Sequence, residues 1–356
     1  MSDLYAASTS DSQFVTVPHG TVTVVYQQKD ITAAITPYLI SFEYIDQIGG
    51  AADSLELRLE DAELRWQDAW YPGFGDQLTA SMGYAGQQLL PCGTFEIDEI
   101  ELEGPPDVVT VKALGAGVKR AVRSRRGRAY ENTTLSAIAA TVARRNKLTL
   151  KGTIEAIHIT RVTQAFETDL AFLHRVAREY GYEFSVRGSL MTFYKRSDLK
   201  SAPVIATFTR GDLNIINYHF HDKIHEIYVA STVSYHNAHH KKLHKKRVVD
   251  PAATLSQYDH YSVDELNLNV RAENDTQANL KANAALERAN DDQTLMSLDV
   301  YGNQKLAAGI NVAIAGFGKL SGKYTITQST HRYSRDGGYK TSVEMKRVRE
   351  AADGAQ

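Results

Sequence analysis

Cysteine is almost missing: the chain of 356 residues has one, Cys92. That excludes an intrachain disulfide and any metal site built from several thiolates. No histidine or basic residue flanks Cys92, so it reads as a small buried apolar residue rather than a catalytic thiol. Long apolar runs are absent too; none approaches the roughly 20 residues of a membrane-spanning helix. The opening stretch MSDLYAASTSDSQ has neither a basic start nor an apolar core, so no secretory signal is expected. Nor is there a P-loop, a Gly-x-Ser-x-Gly elbow, a His-Glu-x-x-His pair or a Gly-x-Gly-x-x-Gly turn, which removes the common nucleotide-binding, hydrolase and metalloprotease signatures. What remains is a soluble globular composition, 43% hydrophobic and 23% charged, with 24 Gly and 8 Pro. Its length suggests more than one core.

The formal net charge is -2, with 40 basic and 42 acidic residues, but the signs are segregated. Residues 1–118 carry 18 acids and 4 bases, residues 119–200 carry 7 acids and 17 bases, and residues 201–356 carry 17 acids and 19 bases. Blocks of this kind point to separate structural units with different surroundings.

The first block reads as β. Phe14 to Val17, Thr21 to Tyr26 and Ile40 to Ile45 alternate, and Ser54-Leu55-Glu56-Leu57-Arg58-Leu59-Glu60 is the cleanest strand in the chain. Strands near 77–84, 94–102 and 108–114 complete a small antiparallel barrel or sandwich over 12–118. The second block, 119–200, changes period. Thr133 or Thr134 caps a helix with its stripe at Leu135, Ile138, Ala139 and Val142. Thr168 caps a second, striped by Leu170, Leu173, Val176, Ala177 and Tyr180 and stopped at Gly181. A hairpin over 182–195 turns at Gly188-Ser189. The third block, 201–349, returns to β. It is interrupted at about 236–292 by a polar loop and a helix with a small-residue stripe at Ala278, Ala282, Ala285 and Ala289; 350–356 should be a disordered tail.

The two β blocks share a grammar. Gly75-Asp76-Gln77-Leu78, then Gly93-Thr94-Phe95-Glu96-Ile97, then a last alternating strand, is matched by Gly309-Ile310-Asn311-Val312, Gly322-Lys323-Tyr324-Thr325-Ile326 and Tyr339 to Met345. Either antiparallel β domains share this by chance, or the chain carries two similar barrels around an α+β unit.

The segment GNQKLAAGINVAIAGFGKLSGKYTITQSTHRYSRDGGYKTSVEMKRV, Gly302 to Val348, resembles the C-terminal signature of the phage late control protein D family. These are baseplate hub proteins of contractile phage tails, similar to the N-terminal part of type VI secretion VgrG spikes. QAFETDLAFLHRVAREYGYEFSVRGSLMTFYKR, Gln164 to Arg196, resembles that family's helix followed by a hairpin, and Leu59 to Tyr84 fits its first strand–turn–strand. The resemblance touches all three blocks. It implies a mainly β fold, two tail-tube-like antiparallel β-barrels flanking a small α+β domain. It also implies a homotrimer whose six barrels form a pseudo-sixfold ring between a hexameric tail tube and a central trimeric spike. Tail tube protein, central spike protein, tape measure protein and other baseplate proteins are then the partners, with DNA only as transient cargo in the channel. The location would be the tail baseplate of the virion, after assembly in the host cytoplasm. Because the chain ends just after the second barrel, the spike would be a separate polypeptide.

Two clusters need weighing. His236, His239, His240 and His244 offer helical i, i+4 pairs, but Lys241, Lys242, Lys245, Lys246 and Arg247 lie among them with no carboxylate nearby. A solvated loop fits better than an anion or partner contact, and both fit better than a metal site. Lys119, Arg120, Arg123, Arg125, Arg126 and Arg128 form a basic run with a single nearby aromatic, Tyr130. Contacts between subunits or proteins therefore fit better than a solvated linker or a nucleic-acid patch. The carboxylate pairs Glu96/Asp98 and Glu99/Glu101 read as exposed strand faces. No catalytic residue, cofactor or metal is expected; the competing functional reading is a tail-associated peptidoglycan hydrolase, whose acid/base pair sequence does not locate.

Overall fold

The computed structural model describes residues 18–49, 52–115, 125–223, 225–237, 242–250 and 264–349. Two sets of six strands dominate it. The N-terminal set comprises Gly20–Tyr26, Leu39–Gln47, Ser54–Glu60, Gln77–Tyr84, Leu90–Glu103 and Val108–Gly115. The C-terminal set comprises Val204–Thr209, Ile215–Asp222, Thr294–Tyr301, Asn311–Ala315, Gly322–Ser334 and Gly338–Arg347. Numbered along the chain within each set, the strands lie side by side as 2-3-6-5-4-1 in both. The segments sharing sequence grammar are strands 4, 5 and 6 of each set.

The match extends to irregularities. In strand 5 the ladder shifts between Ile97 and Glu99 in the first set and between Ile326 and Gln328 in the second. In strand 2 it shifts between Leu39 and Ser41, and again between Ile215 and Asn217. A bulge adds one residue and bends its strand, so the paired bulges place equivalent bends in equivalent strands. One difference breaks the correspondence: strands 1 and 4 are antiparallel in the first set and parallel in the second.

Neither set closes on itself. Strand 5 of the second set pairs with strand 2 of the first, Gln328 against Gln47 through Ser334 against Ser41, and the two sets, with the two-residue strand Lys29–Asp30 on Gly20–Tyr26, become one 13-stranded sheet. Of the expected mainly β fold with two tail-tube-like barrels, the mainly β character and the large antiparallel pairing are present, without a closed barrel among the described residues. The gap that closure would have filled is covered instead by the last hairpin. Tyr339 belongs to the N-terminal core with Phe42, Leu57, Met82, Phe95 and Val111. Its ring lies 5.3 Å from Tyr84.

Between the sets, Leu135–Arg145 and Asp169–Glu179 are helices capped as expected: Thr134 Oγ1 accepts from Ala137 N at 3.2 Å and Thr168 Oγ1 from Ala171 N at 3.3 Å. Both stripes are buried in one core with the hairpin Tyr182–Arg187 and Leu190–Lys195. Gly181 ends the second helix at φ +79, a conformation that side-chain-bearing residues resist. A two-stranded ladder, Arg125–Thr134 against His158–Thr168, with the first helix and the strand Thr149–Lys151 between its strands in the chain, shows no clear alternation in the sequence. Its largely exposed residues give no period to detect.

The interruption of the C-terminal set is built differently from the expected loop and helix. Ala230–Asn237, Lys242–Val249 and Glu265–Leu268 form a three-stranded sheet, and the helix Asp275–Asp291 lies on it. Charges mask any pattern in the His/Lys-rich stretch 236–247, expected as a solvated loop; in the fold Lys242–Val249 is a strand whose mate carries the buried Val233 and Tyr235. Ala278 and Ala282, fully buried, let the helix approach this sheet closely.

Candidate assembly interface

The basic run and the charged joints are where an assembly function would reside, and the structure separates them. Lys119, Arg120 and Arg123 lie outside the described residues. Arg125, Arg126 and Arg128 stand on the strand Arg125–Thr134, opposite Thr168, Glu167 and Gln164. Arg125 and Arg128 are exposed, and the ring of Phe166 on the mate strand is 78% exposed. Among the described residues no carboxylate forms an ion pair with these three arginines. Glu167 is engaged by Arg175 at 2.9 Å instead. The result is an exposed cationic ribbon with an apolar tip.

Of the histidine cluster, His239 and His240 lie outside the described residues. His244 stacks on Tyr235 with ring centroids 5.3 Å apart and its Nδ1 is 4.0 Å from Asp275. Lys246 Nζ reaches the same carboxylate at 3.1 Å. No group of three or more metal-capable side chains comes together among the described residues. Cys92 is buried, which pushes its thiol pKa up and leaves it unreactive. His174 sits edge-on to Phe184 and 3.3 Å from Glu183 Oε2.

Sequence reasoning did not find the joint where the three parts meet. Asp46 and Asp53, both buried, flank the guanidinium of Arg187, which comes from the hairpin of the middle unit. Asp46 Oδ2 also accepts from Ala308 N at 2.9 Å, and Tyr44 donates to Asp53 at 3.3 Å. Burial, and then the neighbouring charge of Asp46, raise the Asp53 pKa to about 7, against the pull of Arg187. Stacked on Tyr44 at 6.1 Å is His331, whose pKa burial lowers to about 4. Its Nε2 is 2.9 Å from the Leu306 carbonyl and its Nδ1 2.8 Å from the Tyr339 hydroxyl. Since a carbonyl only accepts, Nε2 carries the proton and Nδ1 accepts from Tyr339.

A second joint ties the inserted helix to the middle unit. Asp291 accepts from Arg196 at 2.6 Å and Lys200 at 2.9 Å. Glu273 receives the backbone N–H of Thr160 at 2.8 Å and Arg161 at 3.2 Å, and Gln277 donates to the His158 carbonyl at 2.6 Å. Lys281 reaches Glu179 at 2.7 Å. These partners lie about a hundred positions apart, so no local pattern announces them. The arrangement is a set of structural clamps that joins the three parts.

A family model described as phage tail baseplate hub (GPD) matches residues 113–337. The chain belongs to the phage tail baseplate hub family. That family consists of structural proteins rather than enzymes, and the peptidoglycan hydrolase reading falls with it. The probable baseplate hub protein of Escherichia phage 186 is 34% identical over 190 residues, 52% of this chain and 48% of that one. The chain thus spans about half the length of the curated relative it matches. Among solved structures, the 43 kDa tail protein of prophage MuSo2 from Shewanella oneidensis shares the fold with a TM-score of 0.69 at 14% identity, covering 92% of this chain and 98% of that one. The E. coli c3393 protein, a component of the type VI secretion system, does so with a TM-score of 0.54 at 14% identity, over 86% and 73%. These two proteins share the fold seen here. No helix among the described residues is long and apolar enough to cross a membrane.

Proposed function

We propose that this baseplate hub protein works as a symmetry adaptor. Three copies form a ring of six similar β sets, one face docking on a hexameric tail tube and the other receiving a central trimeric spike. The observation that supports this reading is the shared 2-3-6-5-4-1 strand order of the two sets, bulges included. Two similar surfaces per chain turn a threefold assembly into a near-sixfold one, which is what a hexameric partner requires. In this reading the chain divides into 12–118, 119–200 and 201–349, the last carrying its insertion. Tail tube, spike, tape measure and other baseplate proteins are its partners. DNA is cargo in the channel, and the ring sits in the virion after assembly in the host cytoplasm. The cationic ribbon of Arg125, Arg126 and Arg128, with Lys119, Arg120 and Arg123 before it, contacts a neighbouring protein.

Mass measurement of the purified chain together with tube and spike proteins tests the reading. A stoichiometry of three chains per particle is expected, and images should show a ring with near-sixfold symmetry. A monomer or dimer that persists in the assembled particle would overturn it.

A further inference from the structure

The C-terminal set ends in a strand that a free monomer should not leave bare. Among the described residues Ile215–Asp222 pairs on one side only, with Thr294–Tyr301, and six of its eight residues are exposed. An eight-residue edge with Tyr218 and Ile216 exposed is a template for another strand. A second bare edge lies in the N-terminal set. There Leu90–Glu103 pairs with Gln77–Tyr84 only through residues 90–96. Beyond its bulge, Glu99 to Glu103 pairs with Val108–Gly115 on one side and, among the described residues, with no strand on the other.

These two edges are the equivalents of the two that already meet inside the chain. Glu99 to Glu103 corresponds to Gln328 to Arg332, each run starting one residue past the strand 5 bulge. His219 to Lys223 corresponds to Glu43 to Gln47, counted from the strand 2 bulge. Within the chain, Gln328 to Arg332 pairs antiparallel with Glu43 to Gln47. We infer that the same junction forms between copies: Glu99 to Glu103 of one chain pairs antiparallel with His219 to Lys223 of the next. This inference rests on the ring reading and specifies its contact.

Transferring the internal register sets Glu103 opposite His219, Glu101 opposite His221 and Glu99 opposite Lys223. Residues directly opposite share a face, so three acids meet two histidines and a lysine. On the other face Leu102, 52% exposed, meets Phe220. The internal junction has the same design with the signs exchanged: at the position equivalent to Glu103 and His219, Arg332 Nε lies 3.8 Å from Glu43. The exchange also discriminates. Glu103 against Glu43 would set like charges opposite each other, so the Glu99 to Glu103 edge refuses the internal junction's partner. Lys112 and Arg58 already lie beside these acids, at 2.6 Å from Glu101 and 3.3 Å from Glu103, which lessens the repulsion among them before the neighbour arrives.

Cysteine pairs in the full-length chain test the register. Leu102→Cys with Phe220→Cys, and separately Glu101→Cys with His221→Cys, cover two successive cross-strand pairs, one of which is the closer non-hydrogen-bonded kind. Mild oxidation should give linked dimers and trimers on a denaturing gel. The shifted control Leu102→Cys with Tyr218→Cys should give about tenfold less, because its Cα atoms exceed disulfide reach. Light scattering on the same samples separates the two ideas. A trimer that links best in the shifted register, or in neither, overturns this pairing and leaves the ring standing; a monomer overturns both. As a second readout, Glu103→Lys should weaken trimer formation and the added His219→Glu should restore it. Failure of restoration alongside failed linking would close the matter against the inference.

Discussion

The Nδ1 of His331 lies 2.8 Å from the hydroxyl of Tyr339, and both are buried against Tyr44 of the other strand set. A neutral histidine is thus part of the seam between the two halves of the sheet, one strand away from the Asp46–Arg187–Asp53 cluster.

This seam predicts opposing pH dependences. His331 has a folded pKa lowered to about 4 from 6.5, so the native state binds fewer protons than the unfolded chain and stability rises with pH over that window. Asp53 has a folded pKa raised to about 7 from 3.8, so its contribution falls as pH rises over its own window. Each effect is on the order of 3 kcal/mol and the two oppose each other between about pH 4 and 6.5. Urea denaturation should show Asp53→Asn gaining stability from pH 4 to 6.5 and His331→Gln losing stability over the same range. Parallel slopes in the two variants would contradict the assignment.

Arg187→Ala should destabilise the chain by about 2 kcal/mol, less than the 3–5 of a fully buried pair because its side chain is about half exposed. It leaves Asp46 and Asp53 buried without their cation. Chemical denaturation measures the loss. Limited proteolysis should show the middle unit released first.

Thr134→Ala and Thr168→Ala should each cost about 1 kcal/mol, because each hydroxyl accepts from a helix N–H that has no intrahelical partner. Their sum should hold in the double variant only approximately, since both helices pack in one core.

Gly152→Ala should prevent stable folding. At φ +104 a Cβ would fall 1.9 Å from the Phe193 carbonyl oxygen, and that backbone belongs to the strand on which Thr149–Lys151 pairs. Gly188→Ala, at φ +53 with open space around it, should be far milder. Soluble yield and circular dichroism compare them.

Neutralising Arg125, Arg126 and Arg128 to Gln should leave the chain's own stability within about 0.5 kcal/mol, as expected for exposed surface changes, while weakening assembly with tube or spike proteins. Co-sedimentation at increasing salt checks it: the wild-type contact should weaken with salt and the variant's should not.

Strands whose buried and exposed residues alternate were legible to the residue: Ser54–Glu60 and Gln77–Tyr84 stand where the pattern put them. So were the threonine caps, which depend on residues three apart. The exposed pairing of Arg125–Thr134 with His158–Thr168 was not, since alternation needs a buried face to create it. Lys242–Val249 was hidden by its charges. Its pairing is a property of the strand beside it.

The sequence alone determined the mainly β class and the family, because local periodicity and motif spacing are encoded within short windows. Whether the two β sets close or join, which carboxylates meet Arg187, and which edges stay bare were decided only by the tertiary structure. Those outcomes depend on contacts 100 to 300 positions apart, where no local signal records which partner arrives. The bare edges in particular are visible only as places where a ladder stops.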